Sequence, residues 1–138
     1  DAAVGVAARE GVVMSTVASG FAAGEDPANP NIVKVVLRKD GRALYFSRSL
    51  MPFQRDPEAG SLPLKHIGLY VYRAGFLRRY VSWSPTPLER AELLEQLRVL
   101  EWGHDIHVAV CDVRTHGIDT PEQYAAFVAR WKTGEGKR

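Results

Sequence analysis

"IVKVVLRKDGRALYFSRS", residues 32–49, decides the fold class. Two apolar, β-branched runs, Ile32–Leu37 and Arg42–Ser47, flank Asp40-Gly41. Asp-Gly between two such runs is among the strongest short hairpin signals, because glycine accepts the positive φ that a tight turn demands. The stretch therefore predicts a β-hairpin, so part of the sheet is antiparallel. Upstream, "GEDPANPN" (24–31) is a proline- and glycine-broken connection, and "VVMSTVAS" (12–19) reads as a buried strand. Downstream, the polar "MPFQRDPEAGSLPLK" (51–65) leads to a strand at "HIGLYVYR" (66–73) and a short amphipathic helix at "AGFLRRYVSW" (74–83).

"SPTPLERAELLEQLRVLEWG" (84–103) predicts the longest helix. Thr86 is placed to cap it, Pro87 suits the first position, Glu89 completes a capping box and Gly103 stops it. On one continuous helix Ala91, Leu94 and Leu97 form an apolar row, and Glu95 and Gln96 fall off it. "DIHVAVCDV" (105–113) reads as a further strand and residues 121–132 as the last helix. Strands and helices thus alternate around one hairpin, which predicts a single-domain α/β or α+β layer structure, with α/β (a mixed sheet with flanking helices) the expected class.

Composition narrows the function classes. The chain has 138 residues, 46% of them hydrophobic and 25% charged, the balance of a domain with a real core. A net charge of +2 without a basic stripe gives no support for nucleic acid. Lone Cys111 excludes an internal disulfide and any multi-cysteine metal site, and it fits a reducing compartment. No apolar run approaches the roughly 20 residues of a membrane span. The opening "DAAVGVAARE" lacks both a signal sequence and a methionine and reads as a helix already under way, so a processed chain or a piece of a longer one is expected.

Several residues invite a chemical reading, each beside an ordinary one. In "THGIDTPEQY" (115–124), Thr120, Pro121 and Gln123 supply a helix start. Asp119 just before it is either a turn carboxylate favouring the helix N-terminus or a hard-cation ligand beside Gly117. His104 and His107 straddle a strand start and should point to opposite faces, which argues against a metal pair. His116 and Asp119 form a weak H-x-x-D. His66 is either a satisfied structural histidine or a site residue. Glu95 and Gln96 are either a solvated helix face or a carboxylate and amide turned to a polyhydroxylated ligand. Arg48 and Arg55 are surface charges or partners for a carboxylate or phosphate. No phosphate-binding loop, dinucleotide fingerprint or nucleophile elbow occurs.

The residues so far give binding groups without a reaction. The reaction comes from a resemblance. "NPNIVKVVLRKDGRALYFSRSLMPFQRD", "KHIGLYVYRAGFLRRYVSWSPTPLERAELLEQLRVLEWG", "IHVAV" and "GIDTPEQ" follow one another over about residues 10–130. In that order they resemble the C-terminal half of the 3-deoxy-manno-octulosonate cytidylyltransferases, or CMP-Kdo synthetases. The resemblance implies the C-terminal part of a nucleotidyltransferase fold of the nucleotide-diphospho-sugar transferase type. It implies joining of CTP and the eight-carbon acidic sugar Kdo to CMP-Kdo and pyrophosphate for lipopolysaccharide, with Mg²⁺, in a homodimer in the bacterial cytoplasm. Asp119 falls on the family's catalytic metal-binding aspartate. Arg48, Arg55, His66, Tyr70, Glu95 and Gln96 fall on its sugar-binding side, with arginine and histidine suited to the sugar carboxylate and the Glu-Gln pair to hydroxyls. The segment from His66 to Trp83 falls in the region of the family's dimer contact.

Two departures accompany the resemblance. The connection from Arg55 to His66 is short for the family. The glycine-containing "R-x-x-S-x-R-L-P-G-K" loop of its nucleotide-binding half, and that half's second metal aspartate, do not occur in these 138 residues. The expectation is therefore the sugar-binding and dimerising portion of one α/β domain, inactive by itself.

Overall fold

The computed structural model describes residues 1–56, 58, 63–112 and 121–132. The elements run α1 (Ala2–Ala7), β1 (Met14–Ser19), β2 (Lys34–Leu37), β3 (Ala43–Ser47), β4 (Leu64–Tyr72), α2 (Ala74–Tyr80), α3 (Pro87–Glu92), α4 (Gln96–Glu101), β5 (His107–Val110) and α5 (Pro121–Lys132). Strand order is β3-β2-β4-β1-β5. Among the described residues only β1 and β5 pair in parallel; β1–β4, β2–β4 and β2–β3 are antiparallel. The sheet is thus mixed and the fold α/β, as the alternation of elements predicts.

The hairpin forms around Gly41, whose φ of 81° is the left-handed conformation the Asp-Gly signal requires. Its turn also closes the sheet on itself. The Ala43 N–H donates to the Ile106 carbonyl at 2.8 Å and the Val108 N–H to the Gly41 carbonyl at 2.9 Å, joining the two ends of the strand order.

Alternation along β1 sends its residues to two differently used faces. The Ser15 hydroxyl donates to the Ala3 carbonyl of α1 at 2.8 Å, and Ala3 and Ala7 are buried. The opposite side carries Met14 and Ala18, which join Val35, Phe46 and Val108 in a core closed by Phe76, Leu94, Leu97 and Val99 from the α2–α4 region. Ser47, Lys34, Lys65 and Ser19 form one buried row across four strands. Lys65 pairs with Glu25 at 2.6 Å.

Lys34 is 0% exposed. Its ammonium is caged by the carbonyls of Asn29 at 3.0 Å, Ile32 at 2.7 Å and Arg48. Burial pulls its pKa below the usual lysine value, and Glu92 and Asp26 act against that. Substituting Lys34→Met removes the donor from three carbonyls at once, so unfolding in urea should show a loss of about 2 kcal/mol.

One element differs from the sequence-based expectation. Residues 87–101 are two short helices, not one, with Leu93 between them in the left-handed region (φ 52°, ψ 51°). Such a conformation costs a branched L-residue about 1–2 kcal/mol. Tertiary bonds impose it. The Glu92 carboxylate accepts from the Ser47 hydroxyl at 2.6 Å and the Arg48 N–H at 2.9 Å. Glu89 takes both ends of the Arg98 guanidinium, tying α3 to α4 across the break, and accepts from the Thr86 N–H at 3.2 Å. Hydrogen bonding to Arg98 holds the Glu89 carboxyl below the usual range. The break also reorders the faces. Ala91 is exposed, whereas Leu94, Leu97 and Val99 are buried, and so is Gln96, which a continuous helix leaves off the apolar row.

Candidate functional site

A row of rings leads from the sheet to the helix break. His66 on β4 lies edge-on to Phe46 (centroids 4.9 Å apart) and 5.4 Å from Tyr70. Tyr70 neighbours Tyr72 at 6.0 Å, and Tyr72 stacks on Tyr80 of α2 at 6.0 Å. The Tyr80 hydroxyl donates to the Glu95 carbonyl at 3.0 Å, and the Arg98 guanidinium sits 5.1 Å from the Tyr80 ring centre. Tyr70 and Tyr72 share one face because they are two apart on a strand, and a bulge shapes that strand next to them. Thr16 pairs with Tyr70 but Val17 with Ile67, so Gly68 and Leu69 are extra residues on β4.

The Thr16 hydroxyl fills the bulge. It lies 2.8 Å from the Leu69 carbonyl, 3.3 Å from that of Ile67 and 2.8 Å from His66 Nε2. Its single proton goes to a carbonyl, which can only accept, so His66 Nε2–H donates to Thr16 Oγ1. This tautomer leaves Nδ1 as an acceptor. Burial brings the His66 pKa down to about 4, so the ring is neutral at neutral pH. Burial likewise raises the hydroxyl of Tyr70, and that of Tyr72 to about 12, with Glu95 adding to both.

At the end of the row, α4 begins with a contrast. Glu95 is exposed and Gln96 is 3% exposed. Among the described residues neither side chain makes a hydrogen bond. Gln96 is almost wholly enclosed, but its amide is not among the fully buried atoms without a hydrogen-bond partner, which among the described residues are Arg42 Nε, Thr86 Oγ1 and His107 Nδ1. It keeps a narrow opening to solvent through which it can meet a ligand.

Arg48 leaves β3 beside the same break. Its Nε donates to the Glu92 carbonyl at 2.7 Å, one terminal nitrogen to Pro30 at 3.1 Å and the other to Leu93 at 3.4 Å. Among the described residues, two of its five N–H groups have no acceptor and are open to another one. Arg55 is exposed on the connection after β3, and no contact among the described residues joins it to the ring row. Asp119, with His116, lies outside the described residues. The structure therefore brings together His66 with Tyr70, and Glu95 and Gln96 with the far end of the ring row, with Arg48 bonded to the break from the other side.

Sequence reasoning passed over Thr16, Tyr72, Tyr80 and Glu92. The i, i+2 tyrosines were a readable signal. A threonine in an apolar strand and a glutamate on a helix announce nothing without the tertiary fold.

Expected on opposite faces, His104 and His107 nonetheless both reach one cavity. His104 stacks on Trp83 at 5.2 Å, while His107 follows the strand pairing of β5. This separate cavity, of about 300 Å³, is also lined by Glu10, Arg42 and Asp105. Among the described residues no three His, Cys, Asp or Glu side chains converge as a metal site, and no helix is long and apolar enough to cross a membrane.

A family model described as Cytidylyltransferase matches residues 3–106. Among solved structures, the chain is similar to CMP:2-keto-3-deoxy-manno-octonic acid synthetase complexed with CTP. The two share 34% identity at a TM-score of 0.86, over 95% of this chain and 54% of that one. The chain thus spans about half the length of the synthetase it matches. Most of the chain, from α1 to the start of β5, lies within the family match, and the chain belongs to the cytidylyltransferase family.

Proposed function

We propose that this chain carries the sugar side of a CMP-Kdo synthetase site, in which Kdo is activated by CTP for lipopolysaccharide synthesis in the bacterial cytoplasm. The observation that carries the reading is the unpartnered Glu95–Gln96 pair at the end of an aromatic row. A fixed amide beside a free carboxylate supplies donors and acceptors for adjacent hydroxyls, and aromatic faces suit the C–H side of a sugar. Similarity to a synthetase solved with CTP supports the nucleotide as the second substrate. His66 Nδ1 accepts from a sugar hydroxyl, and Tyr70 bounds the same pocket. Arg55 and the free N–H groups of Arg48 are suited to the sugar carboxylate.

In the proposed reaction the anomeric hydroxyl oxygen attacks the α-phosphorus of CTP. A new P–O bond forms, the hydroxyl gives up its proton to solvent, and the bond to the β-phosphate breaks to release pyrophosphate. The residues named here bind and orient the sugar, and holding the attacking oxygen in line can supply much of the rate. Asp119 is the candidate ligand for Mg²⁺, an ion that would offset charge on the phosphate oxygens. A homodimer through the β4–α2 segment accompanies the reading, supported by the exposed apolar side chains of Leu69, Leu77 and Val81 there.

Calorimetric titration of the chain with Kdo, without CTP, tests the proposal. Saturable binding is expected, with Glu95→Ala weakening it at least tenfold. No binding by a folded wild-type chain, or a silent Glu95→Ala, would overturn the sugar-site assignment. Pyrophosphate release with CTP and Kdo separates a catalytic chain from a sugar-binding module, and these 138 residues are expected to release none alone.

A further inference from the structure

We infer that Glu92 and Leu93, which touch no substrate in the reading above, are positioning residues that set Gln96 for the sugar through the left-handed break between α3 and α4. The inference rests on the sugar-site reading and adds the device that holds it.

Three observations meet at the break. First, Leu93 is 73% exposed, so its side chain contributes little packing, yet its backbone adopts a conformation that branched residues avoid. Second, the conformation is held by the residues on either side. The end of β3 grips Glu92 through Ser47 and the Arg48 N–H, and the Arg48 guanidinium grips the carbonyls of Glu92 and Leu93. Lys34 in turn holds the Arg48 carbonyl, linking this grip to the sheet. Third, the residues that follow the break are Leu94 and Leu97, which fill the core, and Gln96, which is 3% exposed and whose amide, open to solvent only at its edge, makes no hydrogen bond among the described residues. On a continuous helix Gln96 falls off the apolar row; the left-handed residue turns α4 so that the side chain is largely enclosed and its amide is left with a narrow opening. Local strain maintained by surrounding bonds is a feature of sites where geometry matters more than local stability.

The consequence is specific. Sugar affinity should follow the tolerance of residue 93 for the left-handed conformation, and side-chain size or polarity should not matter. Leu93→Gly and Leu93→Asn, both at home in that region, should bind Kdo within about twofold of wild type. Leu93→Val, β-branched and excluded from it, should bind at least tenfold more weakly, with an unchanged far-ultraviolet circular dichroism spectrum. A purely structural role would move thermal stability without ordering affinities this way.

If Leu93→Val does not fold, Glu92→Gln carries the test. It keeps the side chain's size but replaces one carboxylate acceptor with a donor, so at least threefold weaker Kdo binding by a folded protein is expected. A Leu93→Val protein that binds like wild type, or, where that variant does not fold, a Glu92→Gln protein that does so, overturns the inference while leaving the sugar site standing. Failure of the folded wild-type chain to bind Kdo removes the sugar-site reading and the inference with it.

Discussion

Replacing Gln96 with leucine is expected to raise the stability of the chain while lowering its affinity for Kdo about 100-fold. Gln96 is 3% exposed, and its amide makes no hydrogen bond among the described residues. The amide keeps only a narrow opening to solvent, so holding it there costs the free protein part of the roughly 1–3 kcal/mol of a fully desolvated polar group. Leucine fills a similar volume without that cost, so unfolding in denaturant should show a gain of about 1 kcal/mol. The bound state has the opposite balance. A site built to bond a hydroxyl leaves the ligand's group unpaired when the amide is gone, a loss of about 2–3 kcal/mol, or roughly two orders of magnitude in Kd. Opposite signs make the pair of measurements decisive. Lower stability with unchanged affinity would show that Gln96 is a core residue with no part in binding.

Much of this arrangement was legible in the residues. The Asp40-Gly41 turn is local chemistry, and the structure places Gly41 at the expected positive φ. Gly103 likewise ends α4 with a φ of 76°. The strand at 66–73 was found, but β4 begins at Leu64, because its first residues are organised by pairing with β2, not by their own pattern. The helix break was illegible for a sharper reason. Residues 87–101 contain no glycine and no proline after the first position, and every local signal favours continuing the helix. What breaks it is the grip of Ser47 and Arg48 on Glu92, some 45 residues away in sequence. Tertiary bonds overrode propensity, and they did so beside the candidate site. The burial of Gln96 followed from that break, so a helical wheel could not find it. His66 and Tyr70 were nameable, but the neutral ring and its tautomer depend on Thr16, a residue that in sequence is only one more member of an apolar strand.

His66 should make the chain acid-labile well above the range in which carboxylates titrate. Unfolded, its ring takes a proton near pH 6.5; folded, burial brings that down to about 4. The unfolded state thus binds more protons between these values, and stability rises with pH there. The stabilisation is fully present above about pH 6.5 and is lost as pH falls toward about 4, some 3 kcal/mol in all. Glu89 reinforces the trend lower down, because Arg98 holds its carboxyl below the usual range and that stabilisation is lost only once the folded-state carboxylate protonates. Urea unfolding from pH 7.5 to 4.5 separates the two. Wild type should lose stability steadily below pH 6.5. His66→Gln, which keeps a donor for Thr16 but does not titrate, should lose most of this slope, the remainder coming from His107, whose pKa burial also lowers. The same neutral ring bears on recognition. An Nδ1 acceptor facing a sugar hydroxyl takes up no proton on binding, whereas a carboxylate placed against it would draw one in. Calorimetry of Kdo binding at pH 7 in buffers of different ionisation enthalpy should show no proton uptake. Uptake approaching one proton would place the sugar carboxylate at His66 and move the hydroxyl contacts to Glu95 and Gln96 alone.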